Sequence, residues 1–148
     1  MKKFLLGVVV GVVALLSVDA LAIYANQFVK VTPLLKTTAS WDGAAIAYPA
    51  GTAELSAMIV ELAPGGETGW HLHTVPSVAM MLEGEIEVHL KDGRIRPFKQ
   101  GEALAEVIHT LHNGKNRGKS PAKMAVFYAG VEKETMTLTE AEALLKGL

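Results

Sequence analysis

The chain has 148 residues, with 14 lysines and arginines against 15 aspartates and glutamates, and no cysteine. The absence of cysteine excludes a disulfide framework, a thiolate nucleophile and a cysteine-based metal site. A formal charge of −1 gives no electrostatic footprint for nucleic acid.

Met1 to Ala22 reads as a targeting segment. Lys2 and Lys3 supply a positive start, Phe4 to Val18 is an apolar run, and Ala20-Leu21-Ala22 fits the small-x-small pattern of a signal peptidase site. No cysteine is present to carry a lipoprotein anchor. The alternative is an uncleaved membrane anchor over residues 4–24, long enough to span a bilayer at ~20 residues. Asp19 inside that stretch favours cleavage. Either way the body of the protein is expected outside the cytoplasm, exported to a periplasmic or other extracytoplasmic space. Removing 22 of the 148 residues leaves 126, one domain of ordinary size.

Residues 23–50 form a lead-in with Pro33 and Pro49, in which Asp42-Gly43 predicts a turn between two short strands. Leu55 to Leu62 predicts a strand with Met58, Val60 and Leu62 on one face. Pro64 to Gly69 is a turn, His71 to Thr74 a short strand, and Pro76 a bend or edge. Val78 to Leu82 reads as a buried strand. Glu85 to Leu90 alternates, with Glu85, Glu87 and His89 on the solvent side and Ile86, Val88 and Leu90 on the other. Asp92-Gly93 predicts a two-residue hairpin turn into a strand over Arg94 to Phe98. Ala103 to Ile108 is a further strand, Asn113 to Ser120 a polar loop, and Ala122 to Ala129 a final long strand. Thr139 opens a short helix, with Glu140 and Glu142 in its first turn and Lys146 in its last, as the helix dipole favours. Short strands, frequent turns and no β–α alternation predict an all-β sandwich or barrel.

The stretch Gly65 to His73 carries the chemistry. His71 and His73 stand two apart on a predicted strand, so their side chains share a face and can share an ion. Neutral imidazole suits Zn, Cu, Fe and Ni. The plainer reading is two polar residues on a solvated strand face.

These residues resemble the cupin family. Its first motif runs from a glycine through five residues to H-x-H, then to an acid and, six residues on, a glycine. Gly65, His71, His73 and Gly84 fit it, but Ser77 stands where the acid is usual. The second motif has a glycine–acid turn, then a histidine and an asparagine. Gly101-Glu102, His112 and Asn116 fit it, while Val107 and His109 replace the usual Pro-x-Gly. The resemblance covers about residues 51–130, leaving 23–50 as lead-in and 131–148 as a tail with a short helix. It implies a double-stranded β-helix, the cupin jelly roll, and a divalent transition metal (Fe, Mn, Zn, Ni or Cu) held by His71, His73 and His112. It also implies a homodimer with an apolar outer face.

Three protein ligands leave positions open for water, substrate or oxygen. The loss of the acid at Ser77 leaves either a three-histidine site or one that recruits Glu106 or Glu67. A neutral ligand set leaves more charge on the metal and favours an anionic substrate. Ser77, Ala79 and Met81 share the inward parity of the histidines and are expected at the pocket, with Tyr128. His109 is a candidate base at the pocket mouth or a plain loop histidine. Trp70, of opposite parity, is expected to pack outward. The leading functional reading is an oxygenase- or isomerase-like enzyme for a small anionic or enolisable compound. The alternatives are a non-catalytic module for a small molecule or metal, and a cupin that has lost its metal.

Overall fold

In β4 (Glu85–Leu90) Ile86, Val88 and Leu90 are buried while Glu85, Glu87 and His89 are not, the two-residue period of a strand with one face in a core. The same period sorts β8 (Ala122–Val131), where Ala122, Met124, Val126 and Tyr128 are buried and Phe127 is exposed. The computed structural model describes residues 28–148. The leader or anchor expected over residues 1–22 lies outside the described residues, and the architecture below belongs to the unit Pro33–Leu148.

One sheet has the order β1 (Ala53–Leu62), β8, β3 (Ser77–Glu83), β6 (Ala103–Ala105). The other has the order β5 (Ile95–Lys99), β4, β7 (His112–Lys115), β2 (His71–His73), β9 (Thr137–Thr139). Every strand pairing within them is antiparallel. Two antiparallel sheets closing over one apolar interior make a jelly roll, the all-β fold that the resemblance implies. Phe98, Met81, Val75 and Leu104 lie in that interior.

Several elements differ from the sequence-based expectation, each for a tertiary reason. The hairpin between β4 and β5 has three residues, Lys91, Asp92 and Gly93, inside the Leu90–Arg94 pair. Gly93 takes φ +91, the left-handed residue that closes such a loop. The strand expected over Ala103 to Ile108 stops at Ala105 and continues only as an isolated bridge from Ile108 to His73. The strands expected around Asp42-Gly43 reduce to one bridge, Ala39 to Ala45. The first three residues of the expected polar loop, Asn113 to Lys115, are strand: β7 pairs with β4 from Leu90–His112 to Glu87–Lys115. A Cβ on Gly114 would lie 3.3 Å from the Thr68 side chain and 3.4 Å from that of Ile86, so the packing there is close enough to favour glycine.

The tail is part of the fold. Its strand β9, unexpected from sequence, pairs with β2 from His71–Thr139 to His73–Thr137. Helix α1 (Glu140–Leu145) follows directly, capped by Thr139. The Glu142 amide donates to Thr139 Oγ1, and the Thr139 amide donates to the Glu142 carboxylate, a reciprocal capping box. Lys146 lies at the C-cap, beyond the last turn. Leu72, Leu138 and Ala143 form a second small core under this helix. Trp70 packs outward as expected, with the Lys91 ammonium 4.1 Å from its ring centre.

Asn116 staples the fold. Buried, it places Nδ2 within bonding distance of the carbonyls of Leu62, Ala63 and Ser120 and accepts from the Gly118 amide. The asparagine of the second motif is therefore structural in this chain. On the outer face of the four-stranded sheet Leu55, Ile59, Val78 and Phe127 are exposed. Leu138→Ala is expected to lower stability by about 2–4 kcal/mol, because it empties the small core that holds β9 on β2. Chemical unfolding, with a matching loss of the α1 signal, checks this.

Candidate metal centre

The central position of β2, between β7 and β9, places three imidazoles together. His71 lies directly opposite His112 across β2–β7, where Cβ atoms approach to about 5 Å. His73, two residues on, shares that face. Ring centres are 4.2 Å apart for His71–His112, 4.8 Å for His73–His112 and 5.1 Å for His71–His73. Their candidate ligand atoms all lie within 4.8 Å of one another.

Each ring is fixed from behind. His71 Nδ1 lies 2.9 Å from the Gly69 carbonyl, His112 Nδ1 2.9 Å from the Thr110 carbonyl, and His73 Nδ1 3.0 Å from Thr137 Oγ1. A carbonyl only accepts, so Nδ1 of His71 and His112 donates and each Nε2 keeps its lone pair. The Nε2 atoms of His73 and His112 are buried without a hydrogen-bond partner. An unmet buried polar atom costs about 1–3 kcal/mol, and a metal ion at the point where the rings meet would satisfy both. The donor set fits a divalent transition ion.

The electrostatics suit a neutral cluster. Burial holds His112 down to about 4, helped by the nearby His71 and His73 and opposed by the Thr110 carbonyl and Glu106. Burial likewise lowers His71. Neutral imidazole is the form that ligates. For Glu106, burial alone would raise the carboxyl, but His73, Ser77 and His112 outweigh it and hold the group ionised. Burial, then the Glu106 charge, raises the Tyr128 hydroxyl above its ordinary range.

The imidazoles line a cavity of about 60 Å³ between the sheets. Val60, Ile86, Val88, Met124 and Val126 make its apolar wall, and Thr68, Glu106 and Tyr128 add polar groups. The Tyr128 ring stands edge-on to His73 at 5.3 Å. Glu106 lines the cavity as a candidate acid should, with Oε2 3.4 Å from His73 Nε2. Ser77 points inward and donates to Glu106 at 2.7 Å.

Three expected placements are corrected, and His109 takes the second of its two readings, the plain loop histidine. Glu67 is outside the cavity: Asn113 donates to it at 3.0 Å, and Lys115 and Arg117 lie 3.3 and 3.5 Å away. Its carboxylate belongs to a surface charge cluster. His109 is exposed and lies off the cavity. It stands where the family pattern has glycine and keeps the left-handed backbone that glycine favours, φ +53. Ala79 and Met81 face inward but are packed into the apolar core and do not line the cavity.

Sequence reasoning missed Thr137. Its hydroxyl sets the His73 ring, and its distance of 64 residues from that histidine hides the pairing. The alternation Thr137-Leu138-Thr139 was the available signal for a strand.

Residues 58–128 match the family model of the cupin domain, and the described residues have the cupin jelly-roll fold. No curated protein matches the chain in sequence. Among solved structures, the DMSP lyase DddQ from Ruegeria pomeroyi DSS-3 matches with a TM-score of 0.52 and 20% identity, over 60% of this chain and 44% of the lyase. An oxalate oxidase in complex with the substrate analogue glycolate matches at 0.51 and 23%, over 58% and 46%. A protein with a double-stranded β-helix domain from Klebsiella pneumoniae matches at 0.51 and 19%, over 63% and 80%. The match thus covers less than half the length of the lyase and the oxidase, and at these identities the likeness is one of fold.

Two outcomes are expected. Thr137→Val should leave the fold intact but weaken metal affinity about 10–100-fold, measured by chelator competition. Stability of the metal-free protein should fall as pH drops from 6.5 towards 4. Over that window the unfolded chain protonates the residue at position 112 while the folded one, with His112 held down, does not. His112→Asn, measured by urea unfolding across the same range, should flatten that slope.

Proposed function

We propose that this protein is a metal-dependent cupin acting on a small compound that reaches the ion through the barrel. The observation that carries the reading is the set of three imidazoles fixed through Nδ1, with the Nε2 atoms of His73 and His112 buried and unpartnered. His71, His73 and His112 would hold the ion. A bound divalent ion supplies Lewis-acid charge for substrate oxygens and, if redox-active, a route to dioxygen. The residues of the chain do the rest. The apolar wall of Val60, Ile86, Val88, Met124 and Val126 limits bulk water. The Tyr128 hydroxyl stays protonated and can donate to a substrate oxygen. A cavity of about 60 Å³ holds roughly four water molecules, so the reacting part of the substrate is a few atoms, such as a carboxylate or an enolisable hydroxy or keto acid. An oxygenase- or isomerase-like reaction fits these dimensions.

A second reading, a non-catalytic carrier or sensor of a metal or small molecule, uses the same site. Protein purified without added metal should carry about one transition ion per chain, and His112→Ala should lose most of it. Metal-loaded protein offered small hydroxy and keto acids should consume substrate, with or without oxygen uptake. Full metal occupancy with no turnover of any acid supports the carrier; retention of the ion by His112→Ala sinks both readings.

The exposed apolar face of Leu55, Ile59, Val78 and Phe127 supports a homodimer as a further part of this reading. Residues 1–22 support export. Protein recovered from the cell envelope should begin at Ile23, whereas a start at Met1 in the membrane fraction would mean an anchor.

A further inference from the structure

We infer that Glu106 supplies the acidic metal ligand that the cupin pattern has at position 77, carried across from the neighbouring strand. The inference rests on the three-histidine reading above and adds a fourth ligand to it.

Strands β3 and β6 pair antiparallel through Val78–Ala105 and Ala79–Leu104. Continuing that register sets Ser77 opposite Glu106, and the Glu106 amide donates to the Ser77 carbonyl at 3.1 Å. Side chains directly opposite share a face and start about 5 Å apart. A carboxylate rooted at 106 can therefore reach the space that one rooted at 77 would fill. Serine at 77 makes this possible twice over. It is small enough to leave room for the glutamate, and its hydroxyl donates to Glu106 Oε2 at 2.7 Å. That bond fixes one carboxylate oxygen.

The position of that oxygen favours ligation over a simple ion pair. Glu106 Oε2 and His73 Nε2 are 3.4 Å apart, longer than the ~2.7–2.9 Å of a well-formed charge-assisted hydrogen bond. Two donors each ~2.1 Å from one ion, at angles between octahedral and tetrahedral, stand about 3.0–3.4 Å apart. The separation from His73 is that of two ligands of a common centre, with Glu106 standing beside the tight group that the three imidazoles form. With Glu106 as a ligand, a divalent ion would carry one net positive charge and could take further oxygens from a substrate. That suits a bidentate monoanion, such as a hydroxy acid chelating through its carboxylate and hydroxyl.

The test uses the full chain and cobalt(II) alone as the probe, with affinity from chelator competition and coordination from the visible absorption spectrum. Glu106→Gln removes the charge. Glu106→Asp keeps it but withdraws it by one methylene. Both should lose at least tenfold in affinity and change the spectrum, with far-UV circular dichroism unchanged. The exchanged variant, Ser77→Glu with Glu106→Ser, should recover most of the affinity. If Glu106→Asp binds as the unchanged protein does, with the same spectrum, Glu106 acts only through its charge and the inference is overturned. If Glu106→Gln is also unaffected, it is overturned outright. His112→Ala serves as the separate control: cobalt retained by that variant refutes the three-histidine site itself, whatever Glu106 does.

Discussion

The architecture depends on β2 being held from both sides. A three-residue strand has too few backbone hydrogen bonds to keep its own register. Pairing with β7 on one edge and β9 on the other fixes where His71 and His73 point. The three Nδ1 contacts then lock the rings. Preorganisation of this kind is what a metal site needs, because the ligands pay little ordering entropy when the ion arrives. The same arrangement leaves buried nitrogens unpartnered, a local penalty that the rest of the fold must carry. Asn116, which ties the turn after β1 to the loop after β7, is one of the groups that carries it.

The division between a polar end and an apolar wall follows from strand parity. Odd residues of β2 and even residues of β4, β7 and β8 face the interior, so the imidazoles meet Ile86, Val88, Met124, Val126 and Tyr128 across a narrow gap. Low polarity around the site keeps His71 and His112 neutral and strengthens each remaining electrostatic contact. The Glu106 carboxylate stays ionised in spite of burial, beside His73 and Ser77.

Much of this was legible in the sequence where the signal is local. The H-x-H spacing, the alternation of β4 and the glycine turns depend only on neighbours in the chain. His112 was legible through motif spacing, since nothing around Leu111-His112-Asn113 marks a ligand by itself. The residues that could not be read are those whose meaning lies across a strand pair. Asn113 and Gly114 look like loop until β4 is beside them. Thr137 looks like tail until His73 is opposite. Ser77 reads as a lost acid with Glu106 and Glu67 as equal substitutes, and only the strand partner of Ser77 separates the two. Glu67, tempting by position, is taken by Asn113, Lys115 and Arg117, which a one-dimensional reading cannot see.

Thr137 lies 64 residues beyond the imidazole that it anchors. The contact cannot form until the chain has been synthesised through β9, and without β9 the His73 ring loses its hydroxyl partner. A product that stops short of β9 keeps all three histidines and still lacks the contact that sets one of their rings.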